Sequence, residues 1–158
     1  MIPPENFFQF VVLCLELESG KVLWQNVATE QQPHEGHHAT HGFASASAAT
    51  NGHLLVASFG SRGIFCFDLD GNPEWQRDLG DMQTRFGFGE GTSPAIHGDR
   101  VVINWDHEAE SFIVCLGPIR LLLGAICDFP RLLAGVLPDC RAARYPPGRR
   151  NHRAVAGR

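Results

Sequence analysis

Two stretches decide the reading of this chain: Cys14–Trp24, CLELESGKVLW, and Phe65–Trp75, FCFDLDGNPEW. Each places a Cys, an acid, a glycine and a Trp in the same order. Three short strings fall into one register: Cys14-Leu15-Glu16, Cys66-Phe67-Asp68 and Cys115-Leu116-Gly117, at offsets of 52 and 49 residues. A second register agrees. Ser47–Gly60, SAATNGHLLVASFG, aligns with Ser93–Asp106, SPAIHGDRVVINWD, at an offset of 46. Between these landmarks the apolar, β-branched and aromatic residues come in short runs, which predict strands at Ala44–Ala49, Leu54–Phe59, Gly63–Asp68 and Pro73–Arg77. Asn51-Gly52, Asp70-Gly71 and Gly98-Asp99 read as turns, because glycine accepts positive φ and Asn or Asp bonds its own backbone. No window before residue 116 has the 3.6-residue apolar spacing of a long helix.

A period near 50 residues filled with short strands and glycine turns is the signature of propeller blades. The fold class expected is therefore all-β. It is a partial β-propeller of about two to three four-stranded antiparallel blades that does not close. The expected division is the last two strands of one blade, a whole blade, and three strands of a third. Such units bury their faces only against neighbours, and about three or more are usually needed. A monomer of this chain is expected to be marginally stable, with exposed sheet edges. Cys14, Cys66 and Cys115 occupy one slot in successive units and are read as packing residues, too far apart for disulfides.

On these residues the chain resembles the repeat family named for pyrroloquinoline quinone (PQQ-like repeats). CLELESGKVLW is similar to its tryptophan-docking motif, roughly A-x-D-x-x-T-G-K-x-x-W, with Glu16 for the Asp, Ser19 for the Thr, and Gly20, Lys21 and Trp24 matching. FCFDLDGNPEW is a version one residue shorter, with Asp68, Gly71, Asn72 and Trp75. The resemblance runs from about residue 11 to 115 and is closest to one bacterial group of these proteins. It implies that each Trp lies at a blade interface, where its large area is buried and its indole N–H needs an acceptor. It also implies an exported parent, periplasmic or extracellular. The chain as written has no recognisable signal peptide and so reads as cytoplasmic.

The function expected is a non-catalytic binding or scaffold module for an unknown small molecule or protein, with no cofactor and no catalytic residues. The alternative implied by the resemblance is a fragment of a quinoprotein oxidoreductase, a dehydrogenase using PQQ and calcium. The channel carboxylates and the base Asp of such an enzyme have no position-by-position match here. Two residue groups are candidate sites. His34, His37, His38 and His41, in PHEGHHATHG with Glu35 nearby, are candidate ligands for zinc, copper or nickel. The Pro and Gly flanks favour a polar loop instead. Trp105, Asp106, His107 and Glu108, in NWDHEAES, are a candidate ligand-binding loop after a buried strand. Phe86–Ser93, FGFGEGTS, lacks the spacing and the Lys of a phosphate-binding loop and reads as a crossing between blades.

Charge divides the chain. Residues 1–115 carry five basic and fifteen acidic side chains, a net of −10, whereas residues 116–158 carry eight Arg and two Asp, a net of +6. The basic part mixes Leu-rich runs with prolines and scatters its Arg, so no nucleic-acid partner is expected. No apolar run approaches the ~20 residues of a membrane span. After Cys115 the repeat pattern predicts another docking motif, but the chain gives LGPIRLLLGAICDF. A one-nucleotide shift near Leu116 permits D-P-x-G-x-x-W-E-R over Gly117–Ile126. Residues 116–158 are therefore expected to be a non-homologous tail, out of frame or poorly ordered.

Overall fold

The computed structural model describes residues 2–117; the expectations for the tail beyond residue 117 lie outside the described residues. Among the described residues nine strands form three antiparallel sheets of two, four and three strands, in strict chain order. The all-β class and the strand counts of two, four and three are as expected, and the sheets do not close. The first sheet pairs β1 (Phe8–Leu15) with β2 (Val22–Gln31). The second runs β3 (Ala49–Thr50), β4 (Leu54–Ser58), β5 (Ile64–Asp68), β6 (Pro73–Arg77). The third runs β7 (Ala95–His97), β8 (Arg100–Trp105), β9 (Phe112–Leu116). The described helices are two single 3-10 turns, Gly60–Arg62 and Arg85–Gly87. Among the described residues no helix is long and apolar enough to cross a membrane.

One expected strand is largely absent. Ala44–Ala49 contributes only Ala49, in the two-residue β3. The alternating small residues offer little to pack, and the serines bind backbone instead. Ser45 Oγ donates to Gly42 O at 3.0 Å and Gly42 N donates back to it at 3.3 Å, while Ser47 N donates to Ser93 Oγ at 2.8 Å. The Ser45–Gly42 bonds are local and compete with a strand ladder, while the Ser47–Ser93 bond ties the segment to the β6–β7 connection.

Alternation along the strands builds two cores, one on each face of the second sheet. Leu55, Ala57, Phe59, Phe65 and Phe67 face the first sheet and meet Phe10, Val12, Trp24 and Ala28. Leu54, Val56, Ile64, Cys66 and Trp75 face the third and meet Val101, Ile103, Trp105 and Leu116. A strand buried on both faces reads as a continuous apolar run, which is why LLVAS and IFCF lack polar alternation.

The repeat offsets map one face onto the next. Phe65 and Phe67 correspond to Val114 and Leu116, and all four point back towards the preceding sheet. Val12 and Ile64 correspond and both point forward. In register, Cys14 lies opposite Trp24 and Cys66 opposite Trp75, so the equivalence holds at the level of cross-strand pairs.

Trp24 joins the first two sheets. Its Nε1 donates to Leu69 O at 2.9 Å, and Asn26 Nδ2 donates to Gly71 O at 2.9 Å. The receiving turn is closed by Asp68, whose carboxylate accepts from Asn72 N at 2.8 Å and from Asn72 Nδ2 at 2.7 Å. These bonds hold its carboxyl below the ordinary carboxylate value, the Asn72 side chain contributing most. Gly71 has φ +88°, and a Cβ there would come within 2.7 Å of the Trp24 ring. In the first sheet, Glu16 accepts from Ser19 Oγ and Gly20 turns the chain at φ +70°, with nothing within 4 Å of where its Cβ would lie.

This contrast is measurable. Gly20→Ala is expected to cost the ~1–2 kcal/mol of a left-handed Ala. Gly71→Ala should lower the urea midpoint further, because it also displaces the indole. Equal losses for the two variants would refute a docking role for Gly71.

Cys66 is fully buried, and burial, with the Glu74 charge adding, pushes its thiol up from 9.0 to about 12. The unfolded thiol ionises first, so between pH 9 and about 12 the unfolded state binds fewer protons and stability falls as pH rises. Iodoacetamide at pH 8.5 should modify the half-exposed Cys14 and leave Cys66 untouched until denaturant is added, read by peptide mass mapping.

Candidate functional site

The topology sends four connections to one end of the sheets: residues 32–48, 59–63, 78–94 and 106–111. Three segments weighed separately in the sequence, the His-rich, Gly-rich and Asp106 loops, thereby meet in one cluster. The β4–β5 turn lies beneath them.

Two carboxylates bind the cluster together. Glu90, from the Gly-rich segment, accepts from Ser61 N and from Ser61 Oγ, both at 2.6 Å. Ser61 Oγ in turn accepts from Met82 N at 2.7 Å. Gly60 makes room for this, since a Cβ there would sit 1.7 Å from Glu90 Oε2. Glu35, from the His-rich segment, accepts from Thr84 N at 3.0 Å and Thr84 Oγ1 at 2.6 Å. Both acids thus spend their oxygens on backbone and hydroxyl donors in neighbouring loops. Arg62 adds an ion pair with Asp81 and donates to Gln32 O at 2.9 Å.

The four histidines take separate partners. His34 Nε2 donates to Met82 O at 2.6 Å, with Asp81 and Glu90 at 3.9 and 3.8 Å from its two nitrogens. His37 Nδ1 donates to His38 O at 2.8 Å, and its ring meets Phe43 edge-on. His38 Nδ1 accepts from Thr40 N at 3.3 Å. His41 lies against Gly89, whose absent side chain lets it approach. Among the described residues no group of three His, Cys, Asp or Glu side chains is placed to hold a metal ion.

The candidate ligand loop also comes apart. Trp105 ends β8 and is buried, stacked on Phe112 at 6.1 Å, so it is a core residue and not part of an open loop. Strand alternation points it inward, and the loop begins after it. Asp106 accepts from Ser111 Oγ at 2.8 Å. His107 Nδ1 accepts from Gln83 N at 3.1 Å, and Glu108 N donates to Gln83 O at 2.9 Å. These contacts brace the third sheet against the Gly-rich segment.

A cavity of about 20 Å³ lies among Phe10, Pro33, His34, Phe59, Arg62 and Glu90. That volume is on the scale of one water molecule. Among the described residues the arrangement is a braced surface around this small cavity. What it presents outward is aromatic. Phe86 has φ 60°, unusual for a bulky residue, and is 65% exposed. Exposed Phe88 lies 5.4 Å from it, Arg85 sits 5.1 Å over the Phe86 ring, and His38 meets Phe88 edge-on. Sequence reasoning took FGFGEG for its glycines and passed over its aromatics. The signal was there in two Phe separated by a single Gly in an acidic, polar loop.

No protein-family model matches the chain, and no curated protein matches it.

If Glu90 is the clasp of this end, Glu90→Gln should weaken two charge-assisted bonds and destabilise by about 1.5–3 kcal/mol. Amide exchange at Ser61 and Met82 should quicken well before global unfolding. Unchanged protection at both amides would show that Glu90 does not hold the loops.

Proposed function

We propose that this chain is a non-catalytic binding or scaffold module built from PQQ-like β-propeller repeats, and that its partner is a protein met by the loop end. The observation that carries this is the use of Glu35 and Glu90: the carboxylates nearest the cavity brace loops. A dehydrogenase of the quinone class needs calcium, which takes six to eight oxygen ligands, and room for a planar tricyclic cofactor. The residues around the cavity do not fit that pair. Both glutamates are engaged by N–H and O–H donors, and Arg62 and His34 line the same cavity. The volume of about 20 Å³ is far below the 300–1,000 Å³ usual for a ligand pocket. The propeller reading is supported by the two-, four- and three-stranded division, by the docking of Trp24 on Gly71, and by the approach of the innermost strands β3 and β7 to one another. Arg85, Phe86 and Phe88 are of the residue types enriched at protein interfaces.

Equilibrium dialysis of the protein against pyrroloquinoline quinone with millimolar calcium tests the non-catalytic reading. The expected result is no quinone absorbance retained above a serum-albumin control. Stoichiometric, calcium-dependent retention would replace the binding module with the oxidoreductase.

A further inference from the structure

Arg62 carries one donor that its neighbours do not meet. Its Nη1 donates to Gln32 O at 2.9 Å and to Gln31 Oε1 at 3.4 Å, and its Nη2 pairs with Asp81. Its Nε is buried and has no hydrogen-bond partner among the described residues. A guanidinium keeps its charge in any fold, so this N–H cannot be shed, and a buried donor left unmet loses its hydration with nothing in return. Arg62 also lines the cavity of about 20 Å³ at the loop end. The walls of that cavity are of two kinds. Phe10, Phe43 and Phe59 are apolar, whereas His34, Arg62 and Glu90 are polar. They come from β1, the His-rich segment, the β4–β5 turn and the Gly-rich segment, so the cavity is an interior joint between the first two sheets and their connections.

The chemistry of the walls narrows what can fill the space. The occupant must accept a hydrogen bond, because an Nε–H only donates, and this excludes ammonium. It must also suit Glu90. That carboxylate accepts from Ser61 N and from Ser61 Oγ, both at 2.6 Å, and a carboxylate has lone pairs for further donors. Chloride or another anion would be repelled by Glu90, and a metal cation by the guanidinium. A water molecule accepts from one wall and donates to the other. It needs about 10–15 Å³ of such space and polar partners on the order of two to four. We infer that one water molecule is built into this cavity, accepting from Arg62 Nε–H and donating to the Glu90 carboxylate. It ties the β4–β5 turn to the Gly-rich segment a second time, beside the direct bonds from Ser61 to Glu90. The inference concerns the interior of the loop end and stands or falls independently of what the outer surface binds.

Water-selective NMR of the isotope-labelled full chain tests it, read at the Arg62 Nε–H and assigned through the carbons of that side chain. The expected result is cross-relaxation from water to this proton, with the sign of a water held far longer than a surface water, and slow exchange of the proton with solvent. Three results from the wild-type chain alone would overturn the inference. A protected Nε–H without water cross-relaxation would mean a dry cavity. An Nε–H that exchanges as fast as that of free arginine would mean an open site. A shift that saturates with added chloride would mean an anion in place of water. Arg62→Lys supplies the second measurement, since it keeps the positive charge and removes the Nε–H. Water relaxation dispersion should then count one long-lived water fewer than in the wild type. An unchanged count, in a variant whose circular dichroism shows its strands intact, would place the held water elsewhere and refute the site.

Discussion

Everything described here depends on the second sheet being apolar on both faces. β4 and β5 carry no solvent side, so the sheet has no stable existence without a layer on each flank. The two cores are separate clusters, Phe-rich towards the first sheet and aliphatic with two Trp towards the third. Because the strands alternate strictly, a one-residue slip in any pairing would exchange the two cores. The registers of β4 with β5 and of β8 with β9 run without irregularity, as such a constraint requires.

The turns at the opposite end from the loops fix how the layers sit. Trp24 reaches from an outer strand of one sheet to the β5–β6 turn of the next, and its indole N–H finds a carbonyl there. A half-buried aromatic with a polar tip has few ways to satisfy both demands, and this selects one lateral position for the sheet that carries it. Asp68 and Gly71 then read as one device. The acid closes the turn by accepting from Asn72, and the glycine leaves the surface flat enough for the ring.

Much of this was legible in the sequence. The Cys–acid–Gly–Trp register marked β1 and β5 with their Trp-bearing partners β2 and β6, and Cys115 alone marked β9. β3 was not legible. ASASAA has strand-like alternation but no side chain large enough to pack, and hydroxyls bonding locally won the segment. Nor was the loop end. His34, Glu35, Ser61, Met82, Thr84 and Glu90 are scattered over the sequence, and only the three-dimensional meeting of three connections makes them a network. Trp105 was misread for a related reason. Its neighbours Asp106 and His107 are polar, and the boundary between a buried strand end and an open loop fell between adjacent residues.

The two ends of the sheets therefore answer to different physics. At the turn end, large apolar area and one indole bond set the stacking, and the determinants repeat along the chain. At the loop end, carboxylates and hydroxyls within a crowded set of connections set the shape, and nothing repeats. Glu90 has its anchor on Gly60 and Ser61, whereas the equivalent β8–β9 turn is held by Ser111 on Asp106 and His107. A repeat architecture preserves what neighbours need in order to stack and leaves the other end free to differ from unit to unit. On the proposed reading, differences in binding would belong to the loop end, with its exposed Phe86 and Phe88.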